Sequence, residues 1–261
     1  MNKLACLIPA SERKVRQLEK RQRLLRFLRG ELWSTAELLG QVLGLQSRQA
    51  VWKSLRQFEA EQIIRRHEYS VLGGSLLIWG ITAHGQALAF NPKSETVRRH
   101  YFEPSKVSEF TLRHTLDIQR LRLAAELAGW SDWQNGESLG AVGKGLKRPD
   151  AIAIDPAGMK TAIECERTLK TVKRYEAVLS AYLQSLKRDE YSRVVWVCPT
   201  ADISLRLRAI ICGIESVTVA GQRVRIDPQR HHLNLRFEDY ETFAKSGNAL
   251  AGAGKSVVLG E

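Results

Sequence analysis

The chain has 261 residues, with 40 Lys plus Arg against 28 Asp plus Glu, a formal net charge of +12 and 44% hydrophobic residues. That length fits one or two domains at about 100–200 residues each, and the apolar fraction can bury a core, which excludes wholesale disorder. No run of about 18 apolar residues is present, which excludes a helical membrane span, and residues 1–10 lack the pattern of a secretory signal. A cytoplasmic location without membrane insertion is expected. The positive excess points to a polyanionic partner, nucleic acid first and an anionic membrane surface second.

Residues 1–30 carry nine basic and two acidic side chains, a net of +7. Leu18, Leu24, Leu25 and Leu28 fall roughly on one helical face. Such a helix either presents a solvated cationic face or runs along a phosphate backbone through residues such as Lys20 and Arg21. Ser34-Thr35 before Glu37 and the apolar Leu38, Leu39, Val42 and Leu43 predicts a capped helix that ends at Gly44. Ser47 caps a second helix, with Val51, Leu55 and Phe58 at spacings of four and three. A hairpin follows, from Ile63-Ile64 through a turn at Gly73-Gly74 to a return strand over 76–81, and then a short helix capped by Thr82.

This order predicts a winged helix-turn-helix over residues 1–90. Residues 46–62 would be the recognition helix, with Arg48, Gln49, Lys53 and Arg56 facing the groove and Arg65 and Arg66 near phosphates. Winged helices also serve as protein-interaction modules; the basic helix and basic preceding arm favour DNA. Residues 91–106, with Pro92, Pro104 and the run Arg98-Arg99-His100, read as a linker.

Residues 107–244 form a second domain. A long helix over 107–128 stops at Gly129. A strand over 130–139, a glycine-bearing loop over 140–145, strands over 147–154 and 160–166, a helix over 167–187 and an apolar strand over 192–198 follow. The order is α-β-β-β-α-β. Residues 245–261 read as a flexible tail. Within it Ala253-Gly254-Lys255-Ser256 mimics a phosphate-binding loop, but Ala249 stands where the first glycine is required.

The middle strands carry acids. Asp150 lies on one, Glu164 and Glu166 on the next, and a period of two puts both glutamates on one face while Ile163 and Cys165 point to the core. Like charges this close need a cation between them. Either a hard divalent ion, Mg²⁺ or Mn²⁺, supplies it, or Arg148, Arg167 or Lys170 forms salt bridges on an exposed strand. Cys6, Cys165, Cys198 and Cys212 include no C-x-x-C pair and no zinc cluster, so reduced thiols are expected, and the adjacent His231 and His232 have no spaced partner.

Pro149-Asp150, followed after thirteen residues by Glu164-x-Glu166, resembles the PD-(D/E)xK nuclease core of many restriction enzymes, with Glu166 in place of the motif lysine. The wider set is Leu112-Arg113-His114-x-x-Asp117, Gly129-Trp130, Arg148-Pro149-Asp150, Glu164-Cys165-Glu166-Arg167-Thr168 and Lys170-x-x-Lys173-Arg174-Tyr175. It resembles the MOBC class of plasmid relaxases and the related replication-relaxation proteins. The resemblance implies a fold of mixed α and β elements, an N-terminal winged helix-turn-helix followed by a restriction-endonuclease-like α/β domain. The implied activity is a metal-dependent endonuclease that nicks a plasmid origin of transfer for conjugative mobilization. Its partners would be duplex DNA with a local single-stranded region, and an accessory mobilization protein and a coupling protein.

In that reading Asp150 and Glu164 ligate Mg²⁺ or Mn²⁺, and Glu166 and the backbone carbonyl of Cys165 complete the shell, or Glu166 binds a second metal. Lys170, with Lys173 its nearest competitor, orients the nucleophile or neutralises the transition state. His114 and Asp117, one turn apart on the first helix, add a ligand or a proton carrier, or make a helix-surface or core hydrogen bond. Tyr101, Tyr175, Tyr182 and Tyr191 are candidates for a covalent DNA adduct, with Tyr175 the one inside a motif-like stretch. A nuclease of restriction, repair or transposition, and a non-catalytic winged-helix regulator, are the competing readings.

Overall fold

The structure, a computed structural model, describes residues 9–71, 74–93, 100–140 and 147–245. The backbone divides into two compact units, residues 1–116 and 117–261. The turn residues 72–73, the basic pair Arg98-Arg99, most of the glycine-bearing loop and the tail with its loop-like motif lie outside the described residues.

The first unit begins with helix α1 (Ala10–Glu31). Leu24, Leu25, Phe27 and Leu28 are buried, but Leu18 is 57% exposed, so the apolar face expected from Leu18 onward begins only at Leu24. Strand β1 (Trp33–Thr35) leads into α2 (Ala36–Val42), whose first turn is capped by Thr35 Oγ1 accepting from the Leu38 amide at 3.4 Å. Gly44, at φ +66°, ends it as expected. Helix α3 (Arg48–Ala60) buries Val51, Leu55 and Phe58, so the spacing of four and three is the inward stripe. Strands β2 (Ile64–Val71) and β3 (Gly74–Ile81) pair antiparallel, β1 adds to the other edge of β3, and α4 (Ala83–Ala89) follows under a Thr82 cap.

The segment expected as a linker carries Phe102, which is fully buried. Its ring occupies the space over Gly80, where an added Cβ would stand 2.0 Å from the ring. The Phe102 amide donates to the Ile81 carbonyl at 2.9 Å. A short 3-10 turn at Pro104–Lys106 then leads to α5 (Glu109–Leu127), in which the unit boundary falls.

The second unit is a five-stranded mixed sheet in the order β10-β7-β6-β5-β4. Strands β4 (Ser131–Asn135), β5 (Ala151–Ile154) and β6 (Lys160–Cys165) pair antiparallel. Helix α6 (Val172–Lys187) returns the chain to β7 (Arg193–Cys198), parallel to β6. The α-β-β-β-α-β order is therefore as read from the sequence. Beyond it come α7 (Ala201–Cys212), a hairpin of β8 (Ser216–Val219) and β9 (Gln222–Arg225), α8 (Pro228–His231) and β10 (Leu235–Asp239), parallel to β7.

Both sheet faces are covered. One packs Ala162, Val194 and Trp196 against Tyr175, Leu179 and Tyr182 of α6 and Leu207 and Ile211 of α7. The other packs Ala151, Ala153, Ile163, Cys165 and Val197 against Leu121 and Ala125 of α5 and Phe243. No described helix is long and apolar enough to cross a membrane. Cys165, Cys198 and Cys212 are free thiols.

Candidate functional site

In the first unit α3 presents Arg48, Gln49, Lys53 and Arg56 on its exposed face. The Arg56 guanidinium lies 5.7 Å from the Trp52 ring centroid, which limits its rotamers, and Trp52 in turn meets the buried Trp79 edge-on. Arg65 is engaged within the fold: it donates to the Phe102 carbonyl at 2.6 Å and stacks 5.4 Å from that ring. Arg66 pairs with Glu59 at 3.4 Å and Arg21 with Glu61 at 3.9 Å, while Lys20 is half-buried on α1. The basic side chains of α3 stay exposed, as do Arg13, Lys14, Arg23 and Arg26 of α1.

In the second unit the register pairs Ala151 with Ile163. One step further along the same ladder sets Asp150 opposite Glu164. The main-chain ladder stops there, and Asp150 Oδ2 instead accepts from the Cys165 amide at 2.8 Å. Asp150 is held from behind as well, because its carbonyl accepts from the Gly136 amide at 2.7 Å. A Cβ at Gly136 would stand 2.1 Å from the Pro149 carbonyl oxygen, so this close approach needs glycine.

Glu164 and Glu166 do share a face, but that face is interior. Both carboxylates are almost wholly buried, because α6 lies over them. The expectation of an exposed strand is corrected on this point. Glu164 is paired with the Lys147 ammonium and accepts from the Tyr182 hydroxyl. Lys147 Nζ also lies 3.2 Å from Tyr182 Oη. Burial raises Glu164 from its ordinary range to about 7; Lys147 opposes this, Asp150 adds to it, and Lys170 opposes it more weakly.

Glu166 Oε2 accepts from Lys170 Nζ at 2.7 Å. Lys170 is not helical: α6 begins five residues later than the expected 167, after Thr171 in extended conformation. The Lys170 amide donates to Tyr175 Oη at 3.1 Å, which ties the 167–171 segment across the helix start. Lys173 lies exposed in the first turn of α6. Arg148 is exposed, and Arg167 pairs with Asp117 rather than with either glutamate. His114 is half-buried on α5.

The tyrosines divide sharply. Tyr175, Tyr182 and Tyr191 are at most 2% exposed. Burial pushes Tyr175 up to about 12. A buried, protonated phenol cannot reach a bulky phosphodiester, and Tyr101, at 45% exposure, belongs to the first unit.

No group of three or more His, Cys, Asp or Glu side chains converges as a metal cage among the described residues. Asp150 and Glu164, hard oxygen donors on neighbouring strands, suit Mg²⁺ or Mn²⁺ as a pair; Glu166 is drawn away by Lys170. Lys147 and Tyr182 were the partners hardest to read from sequence. A signal for Lys147 existed, since it precedes Asp150 by three residues and enters the sheet at the same end. No protein family, curated protein or solved structure was found to match the chain.

Proposed function

We propose that this chain is a metal-dependent DNA endonuclease, with a winged helix-turn-helix unit that holds the duplex and a PD-(D/E)xK-like unit that cuts it. The observation that carries the reading is the placement of Asp150 beside Glu164 at one end of β5 and β6, with the Lys147 and Lys170 ammoniums against the glutamates. The helix-helix-hairpin order with a basic, exposed α3 supports the DNA-binding half.

Asp150, Glu164 and the Cys165 carbonyl would hold Mg²⁺ or Mn²⁺. The bound ion supplies polarisation of the scissile phosphate and a lowered pKa for water. The chain's own residues do the rest. Lys147, released from Glu164, neutralises charge on the phosphate. Tyr182 orients Glu164 by donating to it, and Lys170 keeps Glu166 paired and out of the way. The three buried tyrosines favour water, not a phenol, as the nucleophile. The biological task proposed is nicking of an origin of transfer by a relaxase, with DNA locally opened there and with accessory mobilization and coupling proteins as partners.

A second reading, a non-catalytic DNA-binding regulator, is favoured by one observation: Glu164 and Glu166 are each already neutralised by a lysine. Supercoiled plasmid nicking separates the two. Wild type with Mg²⁺ or Mn²⁺ should nick, and Asp150→Ala and Glu164→Ala should bind DNA and leave it intact. A wild-type chain that binds duplex yet never nicks it with either ion belongs to the second reading. Full nicking by Asp150→Ala would sink the site assignment.

A further inference from the structure

Asp117 sits on α5 with its side chain 5% exposed, and two arginines converge on it. Arg120 Nη1 lies 2.8 Å from Oδ1, and Arg167 Nη1 meets Oδ2. One carboxylate needs one cation for neutrality. The second guanidinium leaves a local surplus of one positive charge. Both side chains reach water, at 43% exposure for Arg120 and 36% for Arg167, and a guanidinium carries more N–H donors than one carboxylate oxygen can take. The ion pairs found for these two arginines among the described residues are both to Asp117.

We propose that Arg120 and Arg167 form a phosphate-binding fork, and that Asp117 is its positioning residue. The ligand is a phosphodiester of the DNA strand next to the cleaved one. Arg167 directly follows Glu166, so the fork opens at the same end of β6 as the carboxylates. Paired planar guanidiniums match the oxygens of a phosphate, and a buried anion behind them holds their rotamers before the ligand arrives. This takes the place of the role of Asp117 as ligand or proton carrier, because an arginine faces each of its oxygens. The proposal rests on the endonuclease reading for its substrate but not for its test.

The test is binding of a fluorescent duplex by the full chain in EDTA, over a range of salt, where no cutting occurs. Arg120→Gln and Arg167→Gln should each weaken binding about tenfold. Each should also lower the slope of log affinity against log salt by about one. Arg167→Lys keeps the charge and should recover only part of the loss. Asp117→Asn adds a positive charge, so general attraction would tighten binding; loss of positioning weakens it. If Asp117→Asn does not fold, Arg120→Lys replaces it in the comparison.

Wild-type affinity and slope in Arg120→Gln and Arg167→Gln would overturn the fork, as would Arg167→Lys indistinguishable from wild type. A chain that shows the slope changes but never nicks with Mg²⁺ or Mn²⁺ keeps the fork and loses the endonuclease reading. A wild type that does not bind duplex overturns both.

Discussion

Lys147 and Glu164 stand 17 positions apart in the chain and form a part-buried ion pair at the end of β6. The pair is unequal, because Glu164 is almost wholly enclosed while the Lys147 side chain keeps 28% of its surface in water. Removing the lysine strands the acid; removing the acid leaves a lysine that can solvate itself.

Lys147→Met should therefore destabilise the second unit in a pH-dependent way. Near pH 8 the cost should be about 1–3 kcal/mol, and near pH 5 it should be small, because Glu164 is then protonated with or without its partner. Nicking should fall about a hundredfold. Denaturant melts at the two pH values check the first part, and an equal cost at both would contradict it.

Glu164→Gln gives the complementary signature. Wild-type Glu164 titrates about 7 when folded and at its ordinary 4.5 when unfolded. A raised folded value means that the stabilising contribution of this group is complete below about 4.5 and is lost as pH rises through about 7. The glutamine variant has no such loss. Its stability relative to wild type should climb between about pH 5 and 8, by on the order of 3 kcal/mol at most. Thermal unfolding of the metal-free protein across that window is the measurement, and parallel pH profiles would refute the assignment.

Gly136→Ala tests how Asp150 is held. The new methyl must displace the Pro149 carbonyl, and the Gly136–Asp150 hydrogen bond moves with it. A cost of about 1–3 kcal/mol is expected. Nicking should drop at least about tenfold, since a small misplacement of a reacting group costs up to about a hundredfold. A variant that melts and nicks like wild type would show that Gly136 does not position Asp150.

Phe102→Ala should cost the first unit about 3–5 kcal/mol, the range for removing a buried aromatic ring. Arg65 would lose its stacking surface in the same step. Circular dichroism melts of the full chain read this directly. A loss below about 1 kcal/mol would mean that residues 100–107 merely lie on the unit.

Much of this arrangement is legible in the sequence. Two paired strands with period two are enough to bring Asp150 near Glu164, and the spacing of Val51, Leu55 and Phe58 is enough to orient α3 with its basic side outward. The burial of Glu164 was not legible, since it depends on α6 lying across that face through Leu179 and Tyr182. Residues 167–171 are compatible with a helix by composition, yet α6 starts only at Val172. The Tyr175 hydroxyl takes the Lys170 amide instead. Between Pro199 and residue 244 the apolar spacing gives no clear period, although α7, β8, β9, α8 and β10 form there. The β8–β9 turn there, with Ala220 at φ +50° and Gly221 at φ +82°, follows the two-residue hairpin rule and was available in principle. The role of Asp117 as a holder of arginines needed the fold, because Arg167 reaches it from the far end of another strand.

Strand β7 lies between β6 and β10, and β10 is made from residues far later in the chain. Phe237 of β10 stacks on Trp196 of β7 at 5.2 Å. During synthesis, then, the sheet acquires its apolar β7 well before the strand that covers its outer edge has left the ribosome. A chain interrupted before Leu235 would show Val194–Cys198 as an open, β-branched template for pairing with another molecule. Shortened versions of this protein should be expected to precipitate for that reason, whatever becomes of their active groups.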